Sequence, residues 1–460
     1  YILQNVVKIK DTSSEIIEKA IDFIGSKYDI LRTNFLYKKV TSSVQVVLKD
    51  KTIERRVIDY KGADFNTFIK ELLEQDLRRG FNLEDDSLLR IIIVKNKEVN
   101  HVIWTFHHII MDGWCIGLLL KEFLEICRKI KNKEDLPNDK ESVFGEYVNW
   151  LRNKPVKAGL NYWSKLLKGY DESVSINPVE KHKGNEDNTV KTTVLHINEN
   201  LKEKILALSK EKNITVNTIF ETALGICLQK YNKQDVVFGK IVSGRNAKIK
   251  GIEAAVGLFI NTIPVRVKSR ENMSCLELLQ EVQKESIESL AFDYCPLVEI
   301  QKVSDLGQDL FKVLLVFENY DTLNFNNEDI ECEYVREETS YDLTLSVYLG
   351  ENIKLEAMYY NSMYKDYEVD LLLSRVTKVL EDMTSDYNML VEEVSLLKDD
   401  ELNLILKDFN KTDISYPVNK VISEVFEKQV KKNPYKAAVK YLDEVVSYEE
   451  LNKKANNLAY

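Results

Sequence analysis

Two adjacent histidines, His107 and His108, are the residues whose type and spacing best suit proton-transfer chemistry. They are two of five histidines in the chain, and they stand between an apolar run at 102–106 and the pair Asp112-Gly113. A neutral imidazole can take up and return a proton near physiological pH, as a general base must. Successive side chains of extended backbone point to opposite faces, so we expect one imidazole to face a cleft and the other to pack inward.

This divergence argues against a metal site, because zinc ligands must converge on one tetrahedral centre. No metal is therefore predicted. A pair of hydrogen-bonded core histidines without a chemical role is the alternative interpretation of the same residues.

Asp112 lies at the turn after the histidines and can cap the following helix, pair with a buried arginine or act in catalysis. We favour a structural role. Arg32 is the predicted partner, because it stands in an otherwise apolar segment and a bidentate arginine–carboxylate pair suits a buried position.

Three residues in the second half of the chain are further candidate site residues. Gly244 and Arg245 follow a predicted strand, where they form either a solvated turn or a substrate contact. Asn261 lies inside an apolar strand, so its amide needs partners, and a structural hydrogen bond to a neighbouring loop is the favoured role.

Hydrophobic patterning defines the elements that must position these residues. The β-branched run at 102–106 predicts a buried strand, and an amphipathic helix is predicted over 115–131. Two successive sets of strands and helices flank a polar segment at 171–189, which is predicted to be a mobile crossover. The 460 residues also exceed the roughly 250–300 at which one core stops growing, so we predict an α/β (α+β) protein with two lobes.

Composition excludes several classes of function. The net charge of −10 and the pI near 5.4 disfavour nucleic acid and anionic membranes as partners. The six cysteines include no CxxC pair, which is typical of reduced thiols in a cytoplasmic protein. No run reaches the ~18 apolar residues of a membrane span. The start at Tyr1 leads us to expect a piece of a longer protein.

Several stretches together resemble the condensation-domain family of nonribosomal peptide synthetases, in the order and spacing typical of that family. HHIIMDGW matches the HHxxxDG signature, and VGLFINTIPVR matches the GxFVNT-type motif. The other matching stretches are DILRTNF, FGEYVNW, FDYCPLVEI (with Leu297-Val298 where the family has Phe), VFENY and YDLTLSVYL. The resemblance covers about 1–395, and the family's opening Ser/Ala-Gln-Arg helix is absent, so we expect an amino-terminal truncation.

The resemblance implies two chloramphenicol-acetyltransferase-like lobes forming a V-shaped pseudo-dimer, with a tunnel at their junction. Donor and acceptor peptidyl carrier proteins would send phosphopantetheine arms into this tunnel from opposite sides, and no cofactor would be bound covalently. By motif position His108 is the catalytic histidine, with His107 beside it. Asp112 and Arg32 would form a structural ion pair, and Gly113 would leave room for the arm. The residues that could line the tunnel are Trp114, Gly244, Arg245 and Asn261.

The predicted organisation has four parts. An amino-terminal lobe at 1–150 carries HHxxxDG, a carboxy-terminal lobe spans 151–392, and a linker covers 393–416. Residues 417–460 resemble the start of an adenylation domain, because VSYEELN matches its first core motif. This incomplete segment contains no phosphate loop and no carrier-protein serine motif, so it is expected neither to adenylate nor to carry a substrate.

The predicted function is peptide-bond formation by attack of an acceptor amine on a donor thioester. An epimerisation domain and a non-catalytic recruiting platform share the fold and are the alternatives, together with a free-standing acyltransferase. A cyclisation domain would carry aspartates in place of the histidines. The intact histidine motif and the adenylation-like tail favour condensation.

Overall fold

The computed structural model describes residues 1–97, 99–137, 143–174, 176, 189–318, 330–336, 341–415 and 418–460, with backbone only for 330–336. These residues form two compact units, Tyr1–Leu396 and Leu397–Tyr460. Most of the predicted crossover at 171–189 and the last two residues of VFENY lie outside the described residues.

The first unit is built on two sheets, and the first of these comes mainly from the amino-terminal part of the chain. The strands and helices of this part of the chain are β1 (Ile2–Lys10), α1 (Ser14–Lys27), β2 (Thr33–Leu36), β3 (Val44–Val47), β4 (Glu54–Asp59), α2 (Phe65–Arg79), β5 (Leu89–Asn96), β6 (Val99–His107), α3 (Gly113–Asn132) and α4 (Val143–Arg152). Helix α5 (Val156–Leu167) follows them and packs against the second sheet, where Trp163 lies in one buried cluster with Val237 and Ile263. Strands β1, β6, β5 and β4 are neighbours in this order, and β2 pairs with β3 in a separate hairpin.

Helices cover both faces of the first sheet, so its central strands are apolar on both sides. Helices α1 and α3 pack on one face through side chains such as Ile17, Ile21 and Phe123. Helix α2 covers part of the other face with Leu72 and Leu73. The predicted strand at 102–106 and the predicted helix at 115–131 are therefore β6 and α3, and the histidines stand at the junction of these two elements.

The second sheet belongs to the carboxy-terminal part of the first unit and has the strand order β7-β13-β12-β10-β8-β9. Its elements are β7 (Val190–His196), α6 (Glu199–Lys212), α7 (Val216–Tyr231), β8 (Asp235–Val242), β9 (Asn261–Lys268), α8 (Cys275–Leu290), α9 (Leu297–Lys302), β10 (Val313–Glu318), β12 (Leu343–Leu349), β13 (Ile353–Tyr360) and α10 (Asp366–Ser385). Helices α7, α8 and α10 cover one face, and α7 is buried over most of its length.

One strand leaves this second set and joins the first sheet. Strand β11 (Ile330–Arg336) pairs antiparallel with β1, from Gln4 opposite Arg336 to Ile9 opposite Ile330. The sequence did not predict this strand. The later part of the chain therefore contributes one strand to the first sheet, because β11 lies between β10 and β12 in sequence yet occupies the outer edge of the first sheet.

The second unit is small. It contains α11 (Asp399–Asn403) followed by a π-helical turn (Leu404–Asp408), then α12 (Ile422–Lys432), the hairpin β14 (Ala437–Tyr441) and β15 (Glu444–Ser447), and α13 (Tyr448–Ala459). The sequence predicted helix, strand, turn and helix over 417–460, and α12, β14, the turn and α13 follow that order, whereas β15 and the helical turns at 399–408 were not predicted. Many of its apolar side chains are exposed, including Phe409, Ile422 and Leu442.

Among the helices described, none combines the length and the apolar character that a crossing of the bilayer would need.

Candidate active site

The two histidines lie at the end of β6, where the chain turns into α3. His107 is the last residue of the strand and pairs with Ile2 of β1. His108 begins a single 3₁₀ turn that ends at Ile110, and its backbone N–H donates to the carbonyl of Tyr1 at 2.8 Å. Because strand pairing ends at this point, the two side chains leave the sheet at its rim and both are partly buried.

The His107 ring is held by its own turn. Its Nδ1 accepts a hydrogen bond from the Ile109 N–H at 3.1 Å, so a neutral His107 carries its proton on Nε2. Burial lowers the pKa of His107 to about 4, and the neighbouring His108 acts in the same direction. His107 is therefore neutral throughout the physiological pH range.

The His108 imidazole is also kept neutral. Burial lowers its pKa below the ordinary histidine value, although its own backbone carbonyl and the Asp112 carboxylate oppose the shift. A neutral imidazole retains a lone pair that can accept a proton or a hydrogen bond. This is the state that general-base chemistry or orientation of an amine requires.

Asp112 ties the two parts of the first unit together. It is buried at the amino-terminal end of α3, and its Oδ1 accepts from the Cys115 N–H at 3.3 Å and from Arg245 Nη2 at 3.3 Å. Its Oδ2 accepts from the Phe259 N–H at 3.1 Å. Arg245 and Phe259 come from the loops around β8 and β9, so we call Asp112, Cys115, Arg245 and Phe259 the lobe clasp.

Arg245 is fixed more firmly than a surface turn would allow. Its Nη1 donates to the carbonyls of Ile252 at 2.6 Å and Ala255 at 2.9 Å. The guanidinium also lies 4.1 Å from the centre of the Phe259 ring. With 8% of its side chain exposed against 1% for Asp112, Arg245 is the buried counter-ion of Asp112, so the interpretation of 244–245 as a solvated turn was wrong.

The predicted pair between Asp112 and Arg32 was wrong as well. Arg32 binds the Asp29 carboxylate at 2.5 Å and donates to the carbonyls of Gly25 at 3.0 Å and Leu48 at 2.9 Å. Asp29 is only three residues from Arg32, and the turn between α1 and β2 brings them together. Arg32 therefore organises its own turn, and the distant Arg245 compensates the charge of Asp112.

Cys115 is a member of the clasp that sequence reasoning missed. Its fully buried Sγ lies 3.1 Å from Asp112 Oδ1, 3.1 Å from the Gly257 carbonyl oxygen and 3.2 Å from Arg245 Nη2. Burial raises the pKa of the Cys115 thiol far above its usual range. The group is thus a neutral thiol that packs and donates, and its spacing of three residues from Asp112 on the first turn of α3 is the signal that could have revealed it.

Gly244 permits this close approach. Its φ of +64° lies in the left-handed region, and an added Cβ would stand 1.9 Å from the Phe259 carbonyl oxygen. The Tyr147 hydroxyl donates to the same carbonyl at 3.3 Å, which brings α4 and the FGEYVNW stretch to the clasp. The backbone of the Arg245 loop therefore requires glycine at position 244.

The remaining predicted site residues are placed as follows. Trp114 is 38% exposed, and its indole N–H donates to the Glu253 carbonyl at 3.0 Å. The Asn261 amide donates to the carbonyls of Asp293 and Cys295, each at 2.7 Å, which confirms the predicted hydrogen bond to a neighbouring loop. Gly113 is the first residue of α3. No cluster that could hold a metal ion occurs among the described residues.

Comparisons with known proteins agree with this architecture. A family model for the condensation domain matches residues 1–406. The chain is 31% identical over 473 residues to bacitracin synthase 3 of Bacillus licheniformis, aligning over 100% of the chain and 7% of that protein. It is 31% identical over 465 residues to gramicidin S synthase 2 of Brevibacillus brevis, over 97% of the chain and 10% of that protein.

Solved structures show the same fold. A four-domain nonribosomal peptide synthetase bound to AMP and glycine superposes with a TM-score of 0.78 at 17% identity, over 100% of this chain and 36% of that one. The starter condensation domain of rhizomide synthetase gives a TM-score of 0.71 at 18% identity, over 86% of this chain and 94% of that one.

The chain belongs to the condensation-domain family. Condensation domains of nonribosomal peptide synthetases catalyse peptide-bond formation, an acyltransferase-type reaction, and they work with carrier domains that bear phosphopantetheine. The predicted family, fold class and enzyme class are confirmed. The chain spans only 7% and 10% of the lengths of the two synthetases named above.

Proposed function

We propose that this chain joins an acceptor aminoacyl group to a donor acyl or peptidyl group, each tethered to its own carrier protein through phosphopantetheine. The acceptor amine nitrogen attacks the donor thioester carbonyl, a C–N bond forms and the C–S bond breaks. The amine loses a proton, and the donor arm leaves as a thiol. The observation that carries this proposal is the neutral His108 imidazole beside the clasp that joins the two lobes.

His108 is proposed to act on the acceptor amine, either by accepting its proton or by orienting it. The lobe clasp would then hold the first turn of α3, and with it His108, in a constant position relative to the second lobe. The tunnel between the lobes would take both arms, with Trp114 of the first lobe near its wall. Positioning two tethered reactants contributes part of the rate, and a base adds about 10²–10⁴-fold.

The test is dipeptide formation between two loaded carrier proteins, followed by intact-protein mass spectrometry. Wild type is compared with His108→Ala and with His196→Ala, a matched change at an exposed histidine of β7. We expect product with wild type and His196→Ala, and about 10²–10⁴-fold less with His108→Ala. Turnover that survives His108→Ala would assign the rate to positioning alone. Absence of product despite carrier binding would favour the recruiting platform.

We also propose that 417–460 begins an adenylation domain, preceded by a linker. The predicted linker start at 393 is too early, because Val394 is buried in the core of the first unit, which extends to Leu396. Support comes from the alignment to bacitracin synthase 3, which covers the whole chain, and from the apolar side chains that this short unit leaves exposed. A unit of this size buries a small share of its surface and is only marginally stable by itself. Adding residues that continue the domain should therefore protect Ile422 and Leu442 from hydroxyl-radical labelling, and unchanged labelling would contradict the assignment.

A further inference from the structure

A large open cleft lies on the face of the first sheet that α2 leaves partly uncovered. It encloses about 980 Å³ and is bordered by β1, by α2 and by the turn between β5 and β6. His101 of β6 lines its floor and packs against the ring of Phe65 at 4.4 Å between ring centres. The cleft is thus a feature of the first lobe alone.

The cleft lies at the opposite end of β6 from the histidine pair. Six residues of extended strand separate His101 from His107, a distance of roughly 20 Å. A molecule in the cleft would therefore not reach the reacting groups, and the peptide-forming chemistry leaves the cleft unused.

One wall of the cleft is an apolar stripe. Phe65, Ile69 and Leu73 recur every fourth residue of α2, so they share one face of that helix, and Val6 and Val99 of the sheet continue the surface. Phe65 and Ile69 remain partly exposed. Binding of a hydrocarbon group against these apolar side chains is favourable, because it removes apolar surface from water.

The rim of the same cleft is cationic. Lys8, Lys70 and Lys97 border it, and Glu74 is the one acid among the lining residues that the structure describes. Glu74 itself pairs with Arg78 at 3.5 Å. Lys70 and Lys97 are exposed, and neither forms an ion pair with a residue that the structure describes. An apolar wall below three ammonium groups complements a molecule with a hydrocarbon body and an anionic head.

The size of the cleft favours a small molecule over a protein partner. Ligand sites typically enclose about 300–1,000 Å³, whereas a stable protein interface buries at least about 1,000 Å² of surface, more than the short lining of this cleft offers. We propose that this cleft is a second binding site of the chain, which takes an amphipathic anion such as a medium-chain carboxylate or an alkyl phosphate.

Calorimetric titration of the full chain with decanoate tests the site. We expect saturable binding with one decanoate per chain. Decanol, which lacks the carboxylate, and acetate, which lacks the hydrocarbon chain, should bind more weakly. The double variant K70E/K97E should weaken decanoate by at least about tenfold, the effect of losing one charge-assisted hydrogen bond. Decyl phosphate in a second series distinguishes a phosphate head from a carboxylate head.

The matched control is K157E/K165E, which makes the same change of charge on two exposed lysines of α5. Decanoate affinity should be unchanged in this control, and peptide-bond formation should be unchanged in K70E/K97E. Absence of saturable binding, equal weakening in both double variants, or decanol binding as tightly as decanoate would each overturn the proposal. Self-association that K70E/K97E abolishes, without decanoate binding, would assign the cleft to a second copy of the chain.

Discussion

At the scale of single residues, the HHxxxDG motif divides into two kinds of group. His107 and His108 are kept neutral by burial, which leaves nitrogen lone pairs available for chemistry. Asp112 is instead surrounded by donors, namely two backbone N–H groups and the Arg245 guanidinium. A carboxylate with this many partners is a structural group. The motif therefore combines a reactive side chain, His108, with a structural carboxylate, Asp112, that holds the turn in place.

Removing the Asp112 carboxylate should destabilise the chain, because Arg245 would remain buried without its counter-charge. We expect Asp112→Ala to lower the free energy of unfolding by about 3–5 kcal/mol, measured by urea denaturation. In a double-mutant cycle, Asp112→Ala and Arg245→Ala should be strongly non-additive, whereas Asp112→Ala and Arg32→Ala should be additive. A stable Asp112→Ala that has lost turnover would instead make Asp112 a catalytic group.

The histidines predict how stability depends on pH. Burial lowers the folded-state pKa of His107 to about 4 from an unfolded value near 6.5, so between these pH values the unfolded chain binds more protons than the folded one. The contribution of His107 should therefore be fully present above pH ~6.5 and should be lost as the pH falls toward ~4, by at most about 1.4 kcal/mol per pH unit.

Urea denaturation at a series of pH values checks this dependence. His107→Gln should flatten the decline of unfolding free energy below pH ~6.5, and the matched change His196→Gln at an exposed strand position should leave it unaltered. An equally steep decline in His107→Gln would show that other groups cause the acid sensitivity.

At the scale of elements, local patterning predicted much of the fold. The strand before the histidines and the helix after them are β6 and α3, and α2 spans the predicted 65–79. These elements can be predicted from the sequence because apolar periodicity and the signals at helix ends depend on neighbouring residues. The partner of Asp112 could not be found in the same way, since Arg245 is 133 positions away and only the tertiary fold brings it near.

Strand β11 escaped prediction for a related reason. Its sequence, IECEYVR, has a weak alternating pattern next to charged residues, and its place at the edge of the first sheet depends on β1, more than 300 residues earlier. Edge pairing of this kind is specified by tertiary context and only weakly by local propensity.

The loop after β8 illustrates how an element constrains the site. Gly244→Ala adds a Cβ in the left-handed region, 1.9 Å from the Phe259 carbonyl oxygen, so the loop must shift and Arg245 must move away from Asp112. Gly307→Ala is a matched control, because Gly307 has a φ of +54° with no atom within 4 Å of an added Cβ. Gly307→Ala should lower the free energy of unfolding only by the cost of placing a Cβ-bearing residue in the left-handed region, about 1–2 kcal/mol.

We therefore expect Gly244→Ala to lower the free energy of unfolding clearly more than Gly307→Ala, and to lower dipeptide formation as well. Chemical denaturation and the carrier-protein assay measure the two effects. Equal destabilisation by the two substitutions would mean that the Phe259 loop yields to the new methyl group without disturbing the clasp.

At the scale of the whole molecule, the first unit consists of two lobes that are held together by a shared sheet and by the lobe clasp. Strand β11 carries residues of the second half into the first sheet, and Asp112, Cys115 and Trp114 all bond to loops at 245–259. The site thus depends on both halves of the chain, although all its histidine chemistry comes from the first half.

A break in the chain between the lobes should therefore abolish the fold of the first lobe. In a fragment 1–153, β1 would lose β11 and expose an open strand edge, which promotes aggregation, and Asp112 would be buried without Arg245. We expect this fragment to be insoluble when expressed alone and to be rescued by co-expression with 154–460. The matched control is a break after Leu396, between the two compact units, which should leave 1–396 soluble and cooperatively unfolding. A well-dispersed amide NMR spectrum of fragment 1–153 would show that β11 and the clasp are dispensable for the first lobe, and would limit their role to joining it to the second.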